Sequence, residues 1–343
     1  MSDLLKQLPT PLLHWYRENR RILPWRENPQ PYLVWISEIM LQQTRVEAAL
    51  PYFERFVAAL PDVYALANAS EEQLLKLWEG LGYYSRVRNL QKAAQQIVSE
   101  YEGNLPSNYD ELMKLPGIGE YTAGAISSIA FGKAVPAVDG NVLRICSRIC
   151  ADSSNIMSSK TRKEYRQRLA PLYEGHCAGD LTQALMELGA TICLPNGKPQ
   201  CTSCPAREFC LAYMQGNPLD YPVKPNKKAR KTENRTVWLI SAQDKVLLHR
   251  RADKGLLAGL WELPNCLSDT SLELELSEQE FEFCGSAVHI FSHIEWHMEG
   301  QKMKLDQICS VPPDWRWVSV DELQQEIALP SAFDAFHPLK LLF

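Results

Sequence analysis

The pattern of apolar and polar positions changes once along the chain. Up to residue 215, apolar residues recur at the spacing of helices that bury one face. Residues 31–60 form a long apolar-rich stretch that stops at Pro61, and residues 86–103 have the pattern of an amphipathic helix. This part of the chain is therefore predicted to be nearly all helical.

Beyond residue 235 the pattern becomes strand-like. Four segments predict strands and a fifth predicts a short final helix: 236–242, 245–251, 287–300, 301–311 and 321–330, in that order. Gln243 and Asp244 fall between the first two strands and predict a hairpin turn. The C-terminal part is therefore expected to be an α+β domain.

Length and composition indicate a two-domain protein. A chain of 343 residues is long enough for two cores, and the segment 217–233 is rich in Pro and Lys, as linkers are. We therefore predict a helical domain at 1–216, a basic linker at 217–233 and a second domain at 234–343. The chain has neither a secretory signal pattern nor an apolar stretch that could span a bilayer, so we expect a cytoplasmic protein without a membrane partner.

The net charge of −5 is unevenly distributed. Residues 1–215 are neutral, residues 216–235 carry a net charge of +4, and residues 236–343 carry a net charge of −9. A neutral domain can still bind phosphates through local basic clusters. The overall charge therefore neither supports nor excludes a nucleic-acid partner.

Four of the ten cysteines lie close together, with spacing Cys-x7-Cys-x2-Cys-x5-Cys: Cys193, Cys201, Cys204 and Cys210. In a chain without a signal peptide, such a cluster indicates metal ligands rather than disulfides. Four thiolates can hold a [4Fe–4S] cluster or a structural zinc ion, and the spacing alone leaves both open.

A glycine-bearing turn at residues 115–119 precedes a predicted helix. Gly117 and Gly119 would let the backbone approach another molecule closely, and the exposed N–H groups of a following helix favour anions. A nucleic-acid phosphate is one candidate ligand. The alternative is an ordinary turn between two packed helices.

Two carboxylates are candidates for acid–base chemistry. Glu38 lies in an apolar helical run, and burial would raise its pKa toward the range of a general acid. Asp139 precedes a predicted helix and can cap it. Two carboxylates on opposite walls of a cleft can cleave a glycosidic bond. The alternatives are a solvated Glu38 and an Asp139 that only caps.

Together, several motifs resemble one family. SEIMLQQT around Glu38, GLGYYSRVRNL at 80–90, LPGIGEYTAGA at 115–125, VDGNVLR at 138–144 and the four cysteines occur in the order typical of helix-hairpin-helix DNA glycosylases with a [4Fe–4S] cluster. The combination is most similar to the adenine DNA glycosylases. The family spacing has six residues in the first cysteine gap, where this chain has seven.

The resemblance implies roles for several residues. Glu38 would protonate adenine, Asp139 would stabilise or transiently bond the sugar cation, Asn141 would hold Asp139 or a phosphate, and Tyr121 would lie beside the sugar. Related glycosylases with lyase activity carry a lysine at the position of Tyr121. The resemblance therefore implies an enzyme that leaves an abasic site.

The resemblance also implies contacts with the substrate, for which the family must extrude a base from the duplex. Trp25, Arg26, Leu41 and Val46 match positions that line the adenine pocket. Gln43 and Tyr83 match side chains that fill the hole left by the extruded base and probe its partner base. Without the resemblance, Trp25 is equally well explained as a core aromatic, and for Tyr83 core packing is the favoured interpretation.

The second domain resembles the Nudix fold but lacks the glutamate-rich box that holds Mg²⁺ in Nudix enzymes. In the adenine glycosylases this domain recognises 8-oxoguanine through a Phe-Ser-His loop, and Phe291, Ser292 and His293 stand at the matching place. The resemblance thus implies a monomer whose partner is double-stranded DNA with adenine opposite 8-oxoguanine or guanine.

Three rival functions are weighed against this one. A lyase-type glycosylase is disfavoured by Tyr121, and a nucleotide pyrophosphohydrolase is disfavoured by the defective box. A DNA-binding protein without catalysis is disfavoured because Glu38 and Asp139 are both present.

Overall fold

The computed structural model describes residues 2–225, 229–270 and 280–341. The chain divides into two compact units: Met1–Asn68 with Asn89–Asn226, and Ala69–Arg88 with Lys227–Phe343. Parts of the predicted linker and of the segment that lacks the Nudix box, 226–228 and 271–279, lie outside the described residues.

The chain up to residue 214 is helical, as the sequence predicts. Its α-helices are, in order, α1 Ser2–Lys6, α2 Pro9–Asn19, α3 Pro24–Glu27, α4 Pro31–Met40, α5 Val46–Ala59, α6 Val63–Asn68, α7 Glu71–Trp78, α8 Ser85–Tyr101, α9 Tyr109–Leu112, α10 Glu120–Ala125, α11 Gly140–Cys150, α12 Ser159–Leu169, α13 Ala178–Thr191 and α14 Leu211–Met214. A π-helical turn, Ile126–Ala130, continues α10, and short 3₁₀ turns lie at Ala170–Tyr173, Cys201–Ser203, Arg207–Phe209 and Pro218–Asp220.

The long apolar stretch at 31–60 is two helices rather than one. Helix α4 ends at Met40 and α5 starts at Val46. Between them Gln43 adopts a left-handed backbone with φ of 62°, which a continuing right-handed helix does not allow. Nearly all of α4 is buried, including the polar residues Ser37 and Glu38. The break thus places a buried carboxylate close to the end of an apolar helix.

The glycine turn joins α9 and α10, as predicted. Gly117 has φ of 77°, and a Cβ at this position would lie 2.8 Å from the Cβ of Asn89. Gly119 has an ordinary φ of −97°, and a Cβ there would meet no atom within 4 Å. The fold therefore requires glycine at 117, whereas the surface at Gly119 is open.

The second unit is built on a mixed sheet. Its strands are β1 Lys231–Ala242, β2 Lys245–Arg250, β3 Trp261–Glu262, β4 Asn265–Leu267, β5 Glu282–Ile290, β6 Ile294–Leu305 and β7 Trp315–Ser319. The sheet order is β3-β2-β1-β6-β5, with β4 also pairing β1 and β7 pairing β2. Strands β1 and β6 are parallel, and the other pairs are antiparallel. Helices α15 Val320–Gln325 and α16 Pro338–Leu341 and a 3₁₀ turn at Ser331–Phe336 complete this unit.

Strand boundaries differ from the sequence pattern in three places. Strand β1 begins at Lys231, inside the predicted linker, because Lys231 already pairs with Ile294 of β6. The predicted strand 287–300 is two strands, since the chain turns at residues 291–293. The predicted strand 301–311 is only the end of β6, which stops at Leu305. The hairpin turn at Gln243 is confirmed, with Ala242 paired to Lys245.

Residues 69–88 group with the C-terminal part of the chain, although the sequence pattern placed them in the helical domain 1–216. The Lys76 ammonium donates to the carbonyls of Leu323 and Ile327, at 3.0 and 3.1 Å. The Glu79 carboxylate accepts the Leu329 N–H at 2.7 Å. These polar contacts join residues that are far apart in the sequence, so no local sequence pattern predicts them. In the described ranges, no helix combines the length and apolar character needed to cross a membrane.

Candidate active site

A cavity of about 570 Å³ lies within the first unit. It is formed where α3, α4, α5, α10, α11 and α13 approach one another. It brings together eight residues singled out from the sequence: Trp25, Arg26, Glu38, Leu41, Val46, Tyr121, Asp139 and Asn141. The first unit therefore gathers the four residues proposed for chemistry and four proposed for the base.

Glu38 is the buried carboxylate of this cavity. Its side chain comes from α4 and is only 4% exposed, and its Oε2 accepts a 2.6 Å hydrogen bond from the Tyr121 hydroxyl. Burial raises the pKa of Glu38 to about 7, and the nearby Asp139 also raises it, although the bond from Tyr121 and the charge of Arg26 oppose the shift. Near neutral pH this group can therefore give or take a proton.

Tyr121 fixes the orientation of that carboxylate. Burial raises the pKa of Tyr121 well above its usual value, and the charges of Glu38 and Asp139 act in the same direction. The phenol therefore stays protonated and acts as the donor. Because Glu38 is buried, the alternative of a solvent-exposed carboxylate is wrong.

Asp139 caps helix α11 and faces the cavity at the same time. Its Oδ1 accepts the Val142 N–H at 2.8 Å, and its Oδ2 accepts the Asn141 amide at 2.7 Å. Burial raises the pKa of Asp139, while these hydrogen bonds act to lower it. Both oxygens are held, so the carboxylate has one orientation in the cavity.

Asn141 is itself held from behind by residues that the sequence analysis missed. Arg144 donates to Asn141 Oδ1 at 2.8 Å, to the Gly189 carbonyl at 2.9 Å and to the Cys193 carbonyl at 2.8 Å. A Cβ on Gly189 would lie 2.6 Å from the Cβ of Asn141. Neither Arg144 nor Gly189 stands out in the sequence, because the contacts of Arg144 with the Gly189 and Cys193 carbonyls join residues 45 and 49 positions apart.

Glu187 is a further residue that the sequence analysis missed. Its side chain is fully buried in α13, and it accepts from Arg26 at 2.7 Å and from Arg21 at 2.8 and 3.1 Å. Burial would raise the pKa of Glu187, but the hydrogen bonds from both arginines hold it below its usual value. A lone carboxylate in an apolar helical run was the signal for Glu38, and Glu187 carries the same signal.

Of two residues predicted to contact the substrate, Trp25 lines the cavity and Gln43 does not. Trp25 lines the cavity but also packs edge-on against Phe53, with ring centroids 4.9 Å apart. Gln43 is exposed and is not among the described residues that line this cavity. It occupies the left-handed turn between α4 and α5, beside Leu41.

A second cavity, of about 590 Å³, lies within the second unit. It gathers the other predicted base-probing residues: Tyr83, Phe291, Ser292 and His293. The Tyr83 hydroxyl and Ser292 Oγ are 2.6 Å apart. The Phe291 ring packs edge-on against Trp296 at 4.9 Å, and this contact anchors one end of the short loop.

The four clustered cysteines line a third, apolar cavity with Ile145, Ile149 and Leu188. Arg148 donates to Cys193 Sγ at 3.2 Å and to the Leu194 carbonyl at 2.9 Å. Within the described ranges, no three His, Cys, Asp or Glu side chains are arranged around a single-ion site. Four thiols around one cavity are a donor set that suits an iron–sulfur cluster or a zinc ion.

Comparisons with known proteins agree with this architecture. Residues 36–171 match the family model described as HhH-GPD superfamily base excision DNA repair protein, and residues 235–337 match the NUDIX domain model. The adenine DNA glycosylase of Mus musculus is 34% identical over 91% of this chain and 73% of its own length. That of Buchnera aphidicola subsp. Acyrthosiphon pisum is 34% identical over 87% of this chain and 86% of its own length.

A solved structure also matches the helical part. The structure of a thermostable thymine-DNA glycosylase has a TM-score of 0.55 and 26% sequence identity, and it covers 62% of this chain and 98% of that chain. Fold and cavity thus define a base-excision DNA glycosylase of the helix-hairpin-helix class with a Nudix-like C-terminal domain. The chain belongs to the adenine DNA glycosylases. The predicted fold class and family are confirmed.

The raised pKa of Glu38 predicts a pH-dependent effect on stability. Its ordinary pKa of 4.5 rises to about 7 in the folded protein, so the stability that the neutral carboxyl group contributes is fully present below pH 4.5 and is lost as the pH rises through about 7. We expect Glu38→Gln to raise the free energy of unfolding at pH 8 by up to ~3 kcal/mol, with little change at pH 5. Urea denaturation at both pH values measures this, and a constant difference would contradict it.

Proposed function

We propose that this glycosylase hydrolyses the N-glycosidic bond of adenine mispaired with 8-oxoguanine or guanine in double-stranded DNA. The observation that carries the proposal is the buried Glu38, which shares one cavity with Asp139 and has a pKa of about 7. One carboxyl group that is protonated near neutral pH and one held carboxylate are the pair that glycosidic cleavage requires.

Glu38 acts as the general acid. The Tyr121 hydroxyl donates to one carboxylate oxygen, so the carboxyl proton is carried on the other oxygen. That proton passes to a ring nitrogen of adenine as the bond between the base and the sugar C1′ breaks, and the bonding electrons leave with the base. A general acid works best when its pKa is near the working pH.

Asp139 stabilises the sugar cation that remains. Its negative charge is preorganised by Val142 N–H and the Asn141 amide, so little reorganisation is needed as positive charge develops. A water molecule then adds its oxygen to C1′ and gives up a proton, which restores the acid and leaves an abasic site.

The product is an abasic site rather than a cleaved strand. A lyase needs an amine to form a Schiff base with the sugar. Among the described residues that line the cavity there is no lysine, and Tyr121 occupies the position where the lyase relatives carry one. This supports a monofunctional enzyme.

The adenine ring is bound by the apolar and charged walls of the cavity. Trp25, Leu41 and Val46 supply apolar surface, and the paired Arg26 and Glu187 supply a polar edge. Because Glu187 is held as a carboxylate, it can accept a hydrogen bond from the exocyclic amine of adenine. A base with a carbonyl at that position would place a second acceptor against the carboxylate in place of a donor, at a cost in free energy.

Duplex DNA binds through its backbone and must release the adenine from the base stack. The open backbone at Gly119, next to the left-handed Gly117, supports the role of this turn as a phosphate contact. Gln43 and Tyr83 are exposed on turns, as expected of side chains that enter the duplex and replace the extruded base.

Ser292 and His293 recognise the base opposite adenine. Both line the cavity that also holds Tyr83, so a probing ring and hydrogen-bonding side chains meet at one place. Nudix hydrolysis is disfavoured because the sequence that follows Pro264 lacks the glutamate-rich box that holds Mg²⁺. We also propose that the protein is a cytoplasmic, nucleoid-associated monomer, which light scattering with and without DNA tests.

The four cysteines would hold a [4Fe–4S] cluster: Cys193, Cys201, Cys204 and Cys210. When bound, the cluster supplies a structural cross-link between α13 and the C-terminal end of the first unit. The loop after Cys193 also reaches the active-site cavity, which Leu194, Pro195 and Asn196 help to line.

The main test is single-turnover release of adenine from a duplex with one adenine opposite 8-oxoguanine. We expect release by the wild-type protein and a loss of at least ~100-fold in Glu38→Gln, since general acids contribute about 10²–10⁴-fold. The wild-type rate should fall as the pH rises above about 7, because Glu38 loses its proton there.

Each outcome of this test has a meaning. No release by well-folded wild-type protein would refute the proposed substrate. Equal release by both proteins would keep the reaction and remove Glu38 from it. Trapping of the protein on DNA by borohydride would show a lyase.

Ser292→Ala tests the recognition of the opposite base. Losing one good hydrogen bond to a base edge costs ~1–3 kcal/mol of discrimination, so the preference for 8-oxoguanine over guanine should fall roughly tenfold. The ratio of release rates on the two duplexes measures it. An unchanged ratio would exclude Ser292, and Ser286→Ala on the same unit serves as the control.

The metal content tests the role of the cysteines. Protein purified without oxygen should contain about four iron and four sulfide per chain, and Cys204→Ser should lower both. Zinc in place of iron and sulfide would show a zinc site instead. The unclustered Cys177→Ser is the matched control.

A further inference from the structure

Tyr83 lies in a backbone turn that its residue type disfavours. Helix α7 ends at Trp78 and α8 begins at Ser85. Between them Gly80, Gly82 and Tyr83 have left-handed φ values of 95°, 68° and 47°. Glycine tolerates this region, whereas a bulky side chain does so only when its surroundings hold it there. A neighbouring group must therefore stabilise the turn.

Arg86 contacts this turn from its buried side. Its Nη2 donates to the Leu81 carbonyl at 3.0 Å and to the Gly82 carbonyl at 3.2 Å. The Trp78 indole N–H donates to the same Gly82 carbonyl at 3.1 Å. Both carbonyls that precede Tyr83 thus point inward toward buried donors, which fixes the direction in which the chain enters residue 83.

Arg86 also contacts the ring of Tyr83. Its guanidinium carbon lies 5.2 Å from the ring centre of Trp78 and 5.7 Å from that of Tyr83. Arg86 is 9% exposed, whereas Tyr83 is 47% exposed. Burial lowers the pKa of Arg86 to about 10, so it remains a cation at neutral pH. The guanidinium plane is therefore a buried support on one side of a half-exposed ring.

We infer that Arg86 is a positioning residue that presets Tyr83 for insertion into the duplex. This inference rests on the proposed function, in which Tyr83 enters the base stack. Holding the turn and the ring before DNA binds removes the conformational cost of ordering them during base extrusion. The planar guanidinium serves two carbonyls and two rings at once, which the point charge of a lysine cannot do.

Arg86→Lys therefore keeps the positive charge but loses the planar guanidinium that contacts both carbonyls and both rings. We expect single-turnover adenine release to fall about tenfold, which corresponds to ~1.4 kcal/mol. With 2-aminopurine in place of the target adenine, the rise in fluorescence that reports unstacking should be smaller or slower. Arg55→Lys is the matched control, because Arg55 stacks on Tyr52 at 4.7 Å on α5, outside both cavities.

A double-mutant cycle separates positioning from a merely structural role. If Arg86 acts through Tyr83, then Arg86→Lys added to Tyr83→Ala should slow release by less than about twofold, because coupled residues are not additive. Additive losses in the double variant would overturn the inference. Unfolding midpoints of all variants, measured by circular dichroism, must lie above the assay temperature.

Gly82→Ala provides a test that leaves Arg86 in place. A Cβ at Gly82 would meet no atom within 4 Å, but its φ of 68° disfavours any side chain, so only the turn is perturbed. It should reproduce the slower release and the weaker 2-aminopurine signal. Normal release and signal in Gly82→Ala and Arg86→Lys, with active wild type, would refute the positioning role alone. Inactive wild type would refute the proposed function instead.

Discussion

The site depends on one interaction, the hydrogen bond from the Tyr121 hydroxyl to the buried Glu38 carboxylate. A carboxylate removed from water is unfavourable when ionised, so burial alone would leave Glu38 neutral over a wide pH range. The phenol partly compensates the ionised form and brings the pKa to about 7. Burial raises the pKa of Glu38, and the hydrogen bond from Tyr121 orients its carboxyl group. Because the two residues come from different helices, α4 and α10, the turn that precedes α10 also determines where the Tyr121 hydroxyl meets Glu38.

Asp139 illustrates why a structural and a chemical role need not compete. Capping α11 requires a carboxylate oxygen next to the first helical N–H groups, and this requirement holds the same carboxylate at the wall of the cavity. Asn141 takes the second oxygen, and Arg144 holds Asn141. The buried Arg144 thus orients Asn141, and Asn141 in turn orients the Asp139 carboxylate in the cavity.

Local sequence signals located the residues whose chemistry depends on their immediate neighbours. The apolar run around Glu38, the turn at Gly117 and the grouped cysteines were all visible in short windows. Glu187 carries the same local signal as Glu38 and was overlooked. Arg144 and Gly189 gave no such signal, because the contacts of Arg144 with the Gly189 and Cys193 carbonyls join residues 45 and 49 positions apart. The same limit explains residues 69–88, whose polar contacts reach some 250 residues along the chain. The predicted start of β1 was wrong for a related reason, because pairing with β6 determines where this strand begins.

The loop after Cys193 joins the cysteine cavity to the active site. Its first three residues line the active-site cavity, while Cys193 and Cys201 line the cysteine cavity. Both ends of the loop are fixed, by Arg144 and Arg148 at Cys193 and by the Gln200 N–H on the Ile192 carbonyl at 2.9 Å. An additional residue between fixed ends changes the path of the loop rather than the positions of the thiols. The seven-residue gap is therefore compatible with the four proposed ligands, and its consequence falls on the wall of the cavity that Glu38 and Asp139 line.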